Sequence, residues 1–255
     1  MIINATPVGM YPNTADCPVE LERFPACEGV LDVTYNPLFT RLLLRAMQFG
    51  IPFSNGLSML AAQAKRSADL FFGQEINPKN SIDDIVQSLT LHFTNIVLIG
   101  MPGSGKTTVG KILAKQTGKA FTDTDEMIER ETGKRIPEIF EQYGEDHFRN
   151  LEADAIEKAG KEKGQVISTG GGAILRHENF LNLKQNGFVV FIQRDLKNLA
   201  SKGRPLSADL PAIEKLYEKR LPLYTTYGDI IIHNDTAADS AVQEVLRHYA
   251  QIKAI

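Results

Sequence analysis

The sequence predicts an α/β protein built on a mainly parallel sheet, and three observations predict it. From about residue 92 onward, apolar runs of strand length alternate with segments whose apolar residues recur at helical spacing. The runs 95–99 and 188–192 are almost wholly apolar, as strands are when helices cover both faces of a sheet. Between the first run and the helix after it stands Gly100-Met-Pro-Gly-Ser-Gly-Lys-Thr107, which matches G-x-x-x-x-G-K-[ST] at a strand-to-helix junction.

In chain order, 1–4 and 30–34 read as strands, 40–49 as an amphipathic helix, 52–54 as a short strand and 57–72 as a helix. This first region, 1–73, has the look of the tail of an α/β domain rather than a whole one. A polar stretch from Gly73 to Ser81 opens a linker, 74–92, that ends in a short helix near 82–89. The second domain, 93–255, continues with strand 95–99, helix 106–116, strand 120–122 and helices across 126–160. Strands 165–168 and 187–192 and helices 211–220 and 238–252 complete it.

At 255 residues the chain holds one large domain or two of moderate size. Its 28 basic and 31 acidic side chains leave a net charge of −3, which argues against nucleic-acid binding by bulk charge. Cys17 and Cys27 belong to no C-x-x-C or Cys/His cluster and read as free thiols. No stretch approaches the ~20 apolar residues of a membrane helix, and no leader pattern opens the chain. A cytoplasmic protein with small-molecule partners is expected.

The glycines of the loop let successive N–H groups turn inward, and the helix that follows adds its positive end to the same anion site. Gly103, Ser104, Gly105, Lys106, Thr107 and Thr108 are therefore the expected ATP-binding residues. Lys106 would reach the outer phosphates, and the Thr107 hydroxyl would ligate Mg²⁺. A plain glycine turn would explain neither the lysine nor the hydroxyl.

Asp123 and Asp125 lie at i and i+2 at a strand's carboxyl end, where α/β ligands bind. One acid could help hold hydrated Mg²⁺ while the other takes a proton from an attacking hydroxyl. Asp123 could equally cap the next helix, and the two roles are compatible. Arg149, three residues before Glu152, and Arg220, in a charged helix, read in isolation as surface residues. Gly170-Gly-Gly172 permits close approach of backbone to a ligand, or serves a tight turn. Arg204, in Ser201-Lys-Gly-Arg-Pro-Leu-Ser207, sits in a loop that could close over a nucleotide or be an ordinary connection.

Taken together, the order P-loop, Asp-x-Asp, Phe-Arg-x-x-Glu, Gly-Gly-Gly, Arg-Pro-Leu, Arg-x-x-Leu-Tyr closely resembles shikimate kinase, over about residues 94–250. The resemblance implies a nucleoside-monophosphate-kinase-like fold, with ATP and Mg²⁺, and transfer of the γ-phosphate to the 3-hydroxyl of shikimate. By the same resemblance Asp125 is the base and binds shikimate hydroxyls, Asp123 joins Thr107 near the magnesium, and Arg149 and Arg220 hold the shikimate carboxylate. Gly171 contacts the ring substituents, Arg204 reaches the ATP phosphates from the lid, and Lys106 counts with Asp125 and Arg204 as catalytic. The segment between Phe191 and Arg204 is compact for the family's lid region, and Asn234-Asp-Thr236 lacks an arginine that some members place near the adenine.

Residues 2–72 resemble the C-terminal part of shikimate dehydrogenase, through Asn4-Ala-Thr-Pro-Val-Gly-Met10, Asp32-Val-Thr-Tyr-Asn-Pro37 and the run from Asn55 to Ala64. The resemblance implies a partial Rossmann-like segment in which Tyr35 and Gln63 face shikimate and Asn4, Thr6 and Gly56 face the nicotinamide side. No glycine-rich dinucleotide loop precedes Asn4, so no dehydrogenase activity is expected from this chain alone. A fused enzyme whose missing dehydrogenase portion is a partner, and a relic behind a true start, both remain open. Two alternatives stand beside the leading reading: a P-loop kinase for another carboxylated polyol such as gluconate, and a docking or dimerisation role for the first region.

Overall fold

A computed structural model of the chain describes residues 1–76, 81–199 and 210–254. It divides into two compact units, Met1–Thr94 with Ile252–Ile255, and Asn95–Gln251. Among the described residues no helix is long and apolar enough to cross a membrane.

The first unit carries a parallel sheet in the order β1 (Ile2–Asn4), β2 (Val30–Asp32), β3 (Phe53–Ser54). The expected strand 30–34 stops at Asp32, because that buried carboxylate takes over the bonding. Asp32 accepts from Asn4 Nδ2 at 3.1 Å, Thr34 N at 3.0 Å and Thr40 Oγ1 at 2.7 Å. Thr40 also caps α1 (Arg41–Gln48), whose Leu42, Leu43 and Ala46 pack on Leu21 and Val30. Helix α2 (Leu57–Phe72) ends at Gly73, whose φ of 66° places it in the left-handed region. Helix α3 (Ile82–Phe93) opens with a reciprocal capping box between Ser81 and Asp84. Expected inside a linker over 74–92, α3 instead buries Val86 against Leu38, Leu57 and Ala61 and belongs to this unit.

The second unit is a five-stranded parallel sheet in the order β5 (Ala120–Asp123), β6 (Gln165–Ser168), β4 (Asn95–Ile99), β7 (Gly187–Gln193), β8 (Ile230–His233). The central strand β4 is buried at every residue, as its apolar run from Ile96 to Ile99 requires, and the polar Asn95 that opens it donates to Glu162 O at 2.8 Å. Five described helices flank the sheet: α4 (Lys106–Thr117), α5 (Thr124–Thr132), α6 (Ile136–Lys161), α7 (His177–Lys184) and α9 (Ala238–Tyr249). Helix α8 (Leu210–Tyr227) runs through Pro222 and lays Tyr224 on Phe191, with ring centroids 4.9 Å apart.

The helices expected across 126–160 are two, α5 and α6, and Gly144, at φ 79°, kinks the second of them. Two elements of this unit escape the sequence reading, α7 and β8. Helix α7 is short and largely polar, so its periodicity is weak. Strand β8 is only Ile-Ile-Ile-His, and it is specified by its pairing with β7 rather than by its own length.

Candidate active site

Strands β4, β5, β6 and β7 all run the same way, so their carboxyl ends deliver four loops to one edge of the sheet. The loops enclose a cavity of about 550 Å³ lined by Gly103, Lys106, Asp123, Asp125, Arg149 and Arg220, among others.

The loop after β4 is the expected phosphate loop. Gly105, at φ 94°, sits at the N-cap of α4, and a Cβ there would lie 2.3 Å from Asn234 Nδ2. Asn234 needs that space, since its amide donates to Ser104 O at 2.7 Å and ties the loop to the end of β8. Lys106 is buried and donates to the carbonyls of Gly100 and Met101, both at 2.9 Å. Thr107 and Thr108 follow on the first turn of α4, and both line the cavity.

The two acids at the carboxyl end of β5 divide their work. Asp123 caps α5 through Oδ1, which accepts from Asp125 N at 3.0 Å, and takes the Thr107 hydroxyl on Oδ2 at 3.0 Å. Cap and site contact therefore coexist on one carboxylate. Asp125 keeps Oδ1 buried with no partner among the described residues. Burial pushes its carboxyl up to about 7, and the negative charges of Asp123 and Glu152 push the same way.

Neither arginine is the exposed helix charge that its local sequence suggested. Arg149 is 8% exposed; its Nη1 donates to Glu152 Oε2 at 2.8 Å and its Nη2 to Glu145 Oε1 at 2.9 Å. Arg220 is 3% exposed and donates to Gly171 O at 3.1 Å, which also accepts from Tyr224 OH at 2.6 Å. The glycine triplet makes this crowding possible. A Cβ on Gly172 would lie 2.0 Å from Arg149 Nη1, and one on Gly170 would lie 2.7 Å from Asp125 Oδ1 and 2.8 Å from Glu152 Oε1.

Glu152 is fully enclosed, and burial raises its carboxyl above the usual range against the pull of Arg149 and Arg220. Its Oε1, Arg220 Nε and Asp125 Oδ1 are all buried without partners among the described residues, and all three residues line the cavity. Three unpaired polar atoms on residues around one cavity are the mark of a site made for a polar ligand. Arg204 lies outside the described residues. Arg194, which sequence reasoning missed, lines the same cavity; a cation directly after the apolar strand β7 was the available signal.

Thr107 Oγ1, Asp123 Oδ2 and Ser168 Oγ supply hard oxygen donors beside the loop, the chemistry Mg²⁺ takes. Among the described residues no three His, Cys, Asp or Glu side chains group to hold a metal.

Residues 102–250 match the family model for shikimate kinase. The chain belongs to the shikimate kinase family. It is 40% identical over 167 residues to shikimate kinase of Thermodesulfovibrio yellowstonii, an overlap of 62% of this chain and 96% of that protein. It is 41% identical over 167 residues to that of Thermoanaerobacter pseudethanolicus, covering 62% of this chain and 98% of the relative. The solved structure of shikimate kinase from Acinetobacter baumannii in complex with shikimate overlays with a TM-score of 0.60 at 35% identity, covering 64% of this chain and 96% of that one. The enzyme from Aquifex aeolicus gives 0.55 at 35% identity, over 60% of this chain and 95% of that one. The fold is thus that of P-loop kinases, and the chain is a phosphotransferase.

Proposed function

We propose that the second unit transfers the γ-phosphoryl group of ATP to the 3-hydroxyl of shikimate. The observation that carries this reading is the meeting, in one cavity, of a phosphate loop, an unpartnered carboxylate and two buried guanidiniums. A phosphoryl donor and a carboxylated polyol are the two ligands such a set recognises.

Lys106 exchanges the loop carbonyls for phosphate oxygens, and the N–H groups of residues 103–108 cradle the phosphate chain. Thr107 and Asp123 would hold Mg²⁺, which would supply positive charge to the outer phosphates. Asp125, which lines the cavity and whose Oδ1 has no partner among the described residues, takes the proton of the acceptor hydroxyl; a carboxyl with a pKa of about 7 is matched to that task at neutral pH. Arg149 and Arg220 grip the acceptor carboxylate through paired hydrogen bonds, and Gly171 meets the ring substituents. Glu152 and Glu145 hold the Arg149 guanidinium in orientation. Arg204 is assigned to the ATP phosphates on the sequence pattern.

An ATP-consumption assay with shikimate and gluconate side by side tests the assignment. Turnover with shikimate and none with gluconate is expected; gluconate turnover without shikimate would sink it.

For the first unit, the reading as a partial dehydrogenase-like segment rests on its sequence resemblance. Its parallel sheet, with Asn4 and Asp32 joined at the strand ends, is compatible with it. No nicotinamide-dependent oxidation of shikimate is expected from this chain, and measurable reduction of NAD or NADP would overturn that.

A further inference from the structure

Arg194 is the first residue after β7, at the sheet edge where the ligand cavity opens, and no role above uses it. Its Nη1 reaches Gly103 O in the phosphate loop at 3.5 Å, the long limit of a hydrogen bond. Its Nε is buried and has no partner among the described residues. Among those residues the guanidinium meets no carboxylate either, so a cation with five donors stands beside the loop with most of them unused.

The backbone that carries Arg194 is held from both sides. Asn234 N donates to Gln193 O at 2.9 Å, Asp195 N donates to Asp235 Oδ1 at 2.7 Å, and Asn234 Nδ2 donates to Ser104 O at 2.7 Å. The end of β7, the end of β8 and the phosphate loop are thereby stitched together, and little ordering is needed before a ligand arrives.

The position also decides which ligand. Arg149 and Arg220 gather around the glycine triplet, whereas Arg194 touches Gly103, on the loop side. Phosphate oxygens match the guanidinium fork as carboxylates do, and near the loop the phosphates are the anions at hand.

We propose that Arg194 is a nucleotide-binding residue that determines affinity for the phosphate chain of ATP. The proposal rests on the kinase reading of this cavity and adds a residue to it. Losing a charge-assisted hydrogen bond in a site of this kind weakens binding by about ten- to a hundred-fold.

The test uses the full chain with Arg194→Gln and Arg194→Lys, measuring KM for ATP and for shikimate and inhibition by tripolyphosphate and by adenosine. Arg194→Gln is expected to raise KM for ATP and the tripolyphosphate inhibition constant about ten-fold or more, with the shikimate KM and adenosine inhibition within two-fold. Arg194→Lys is expected to recover part of the loss, because it keeps the charge but not the fork. Unchanged KM for ATP, an equal loss for adenosine, or a rise confined to shikimate would each overturn the proposal. Where the glutamine variant fails to fold, the lysine variant decides by the same comparison. Failure of the wild-type chain to phosphorylate shikimate would instead strike the underlying reading, and the ATP comparison with the acceptor it does use would still decide Arg194.

Discussion

Asp125 shows how a single carboxylate is prepared by its surroundings. Burial leads, and the charges of Asp123 and Glu152 follow, in lifting its pKa to about 7. A raised carboxyl stabilises the fold fully below its ordinary value of 3.8, and that contribution is lost as pH climbs through about 7. In the nucleotide- and metal-free protein, Asp125→Asn should therefore gain stability relative to wild type between pH 5 and 8. Denaturant midpoints across that range check it; a constant difference would count against the burial argument. The same variant should lose roughly 10²- to 10⁴-fold in turnover while binding ADP normally, because it removes the base and leaves the cradle. Gly172 gives a second test at this scale. Its missing Cβ leaves room for the Arg149 guanidinium, so Gly172→Ala should push that group aside. Because the atoms it displaces end a long side chain, KM for shikimate should rise about ten-fold or more, with ADP affinity unaltered. Equal effects on both ligands would point to a general distortion.

Among the elements, α8 has the most to do with the proposed acceptor side. One helix brings Arg220 and Tyr224 to the same carbonyl, that of Gly171, and anchors itself by stacking Tyr224 on Phe191 of the sheet. Tyr224→Phe keeps the stack and deletes one donor. A stability loss of about 1 kcal/mol and a few-fold rise in KM for shikimate are expected, without change in KM for ATP. Thermal melting and steady-state kinetics would show it, and a large effect on ATP alone would contradict the placement of α8. Helix α5 illustrates the same economy, since the Asp123 that starts it also receives Thr107. The residue that starts the helix is here also one that lines the cavity.

For the whole molecule, the described residues of the candidate site all lie within Asn95–Gln251. The curated relatives match over almost their full length while covering 62% of this chain. A truncation to residues 93–255 should accordingly retain shikimate turnover within about three-fold, measured by ATP consumption. Collapse of activity in a folded truncation would show that the first unit contributes to the reaction. That unit leaves Leu70, Phe71 and Phe72 at the end of α2 exposed at 65%, 84% and 61%.

The sequence by itself determined the α/β class, the phosphate loop and the order of acids, glycines and arginines, because each is a local pattern. A five-residue strand with four apolar residues in a row, a glycine loop ending in Lys106-Thr107 and an Asp-x-Asp at a strand end carry their meaning within a few residues. It could not show that Arg149 and Arg220 are buried, since one helical turn of charged residues reads alike on a surface and in a pocket. Only the tertiary structure decided that, by packing both against the glycine triplet, more than twenty residues from Arg149 and nearly fifty from Arg220. It also decided the place of Arg194 and of β8, whose roles depend on strand pairing and on the convergence of parallel strand ends. Such convergence joins residues far apart in the chain, and no local window contains it.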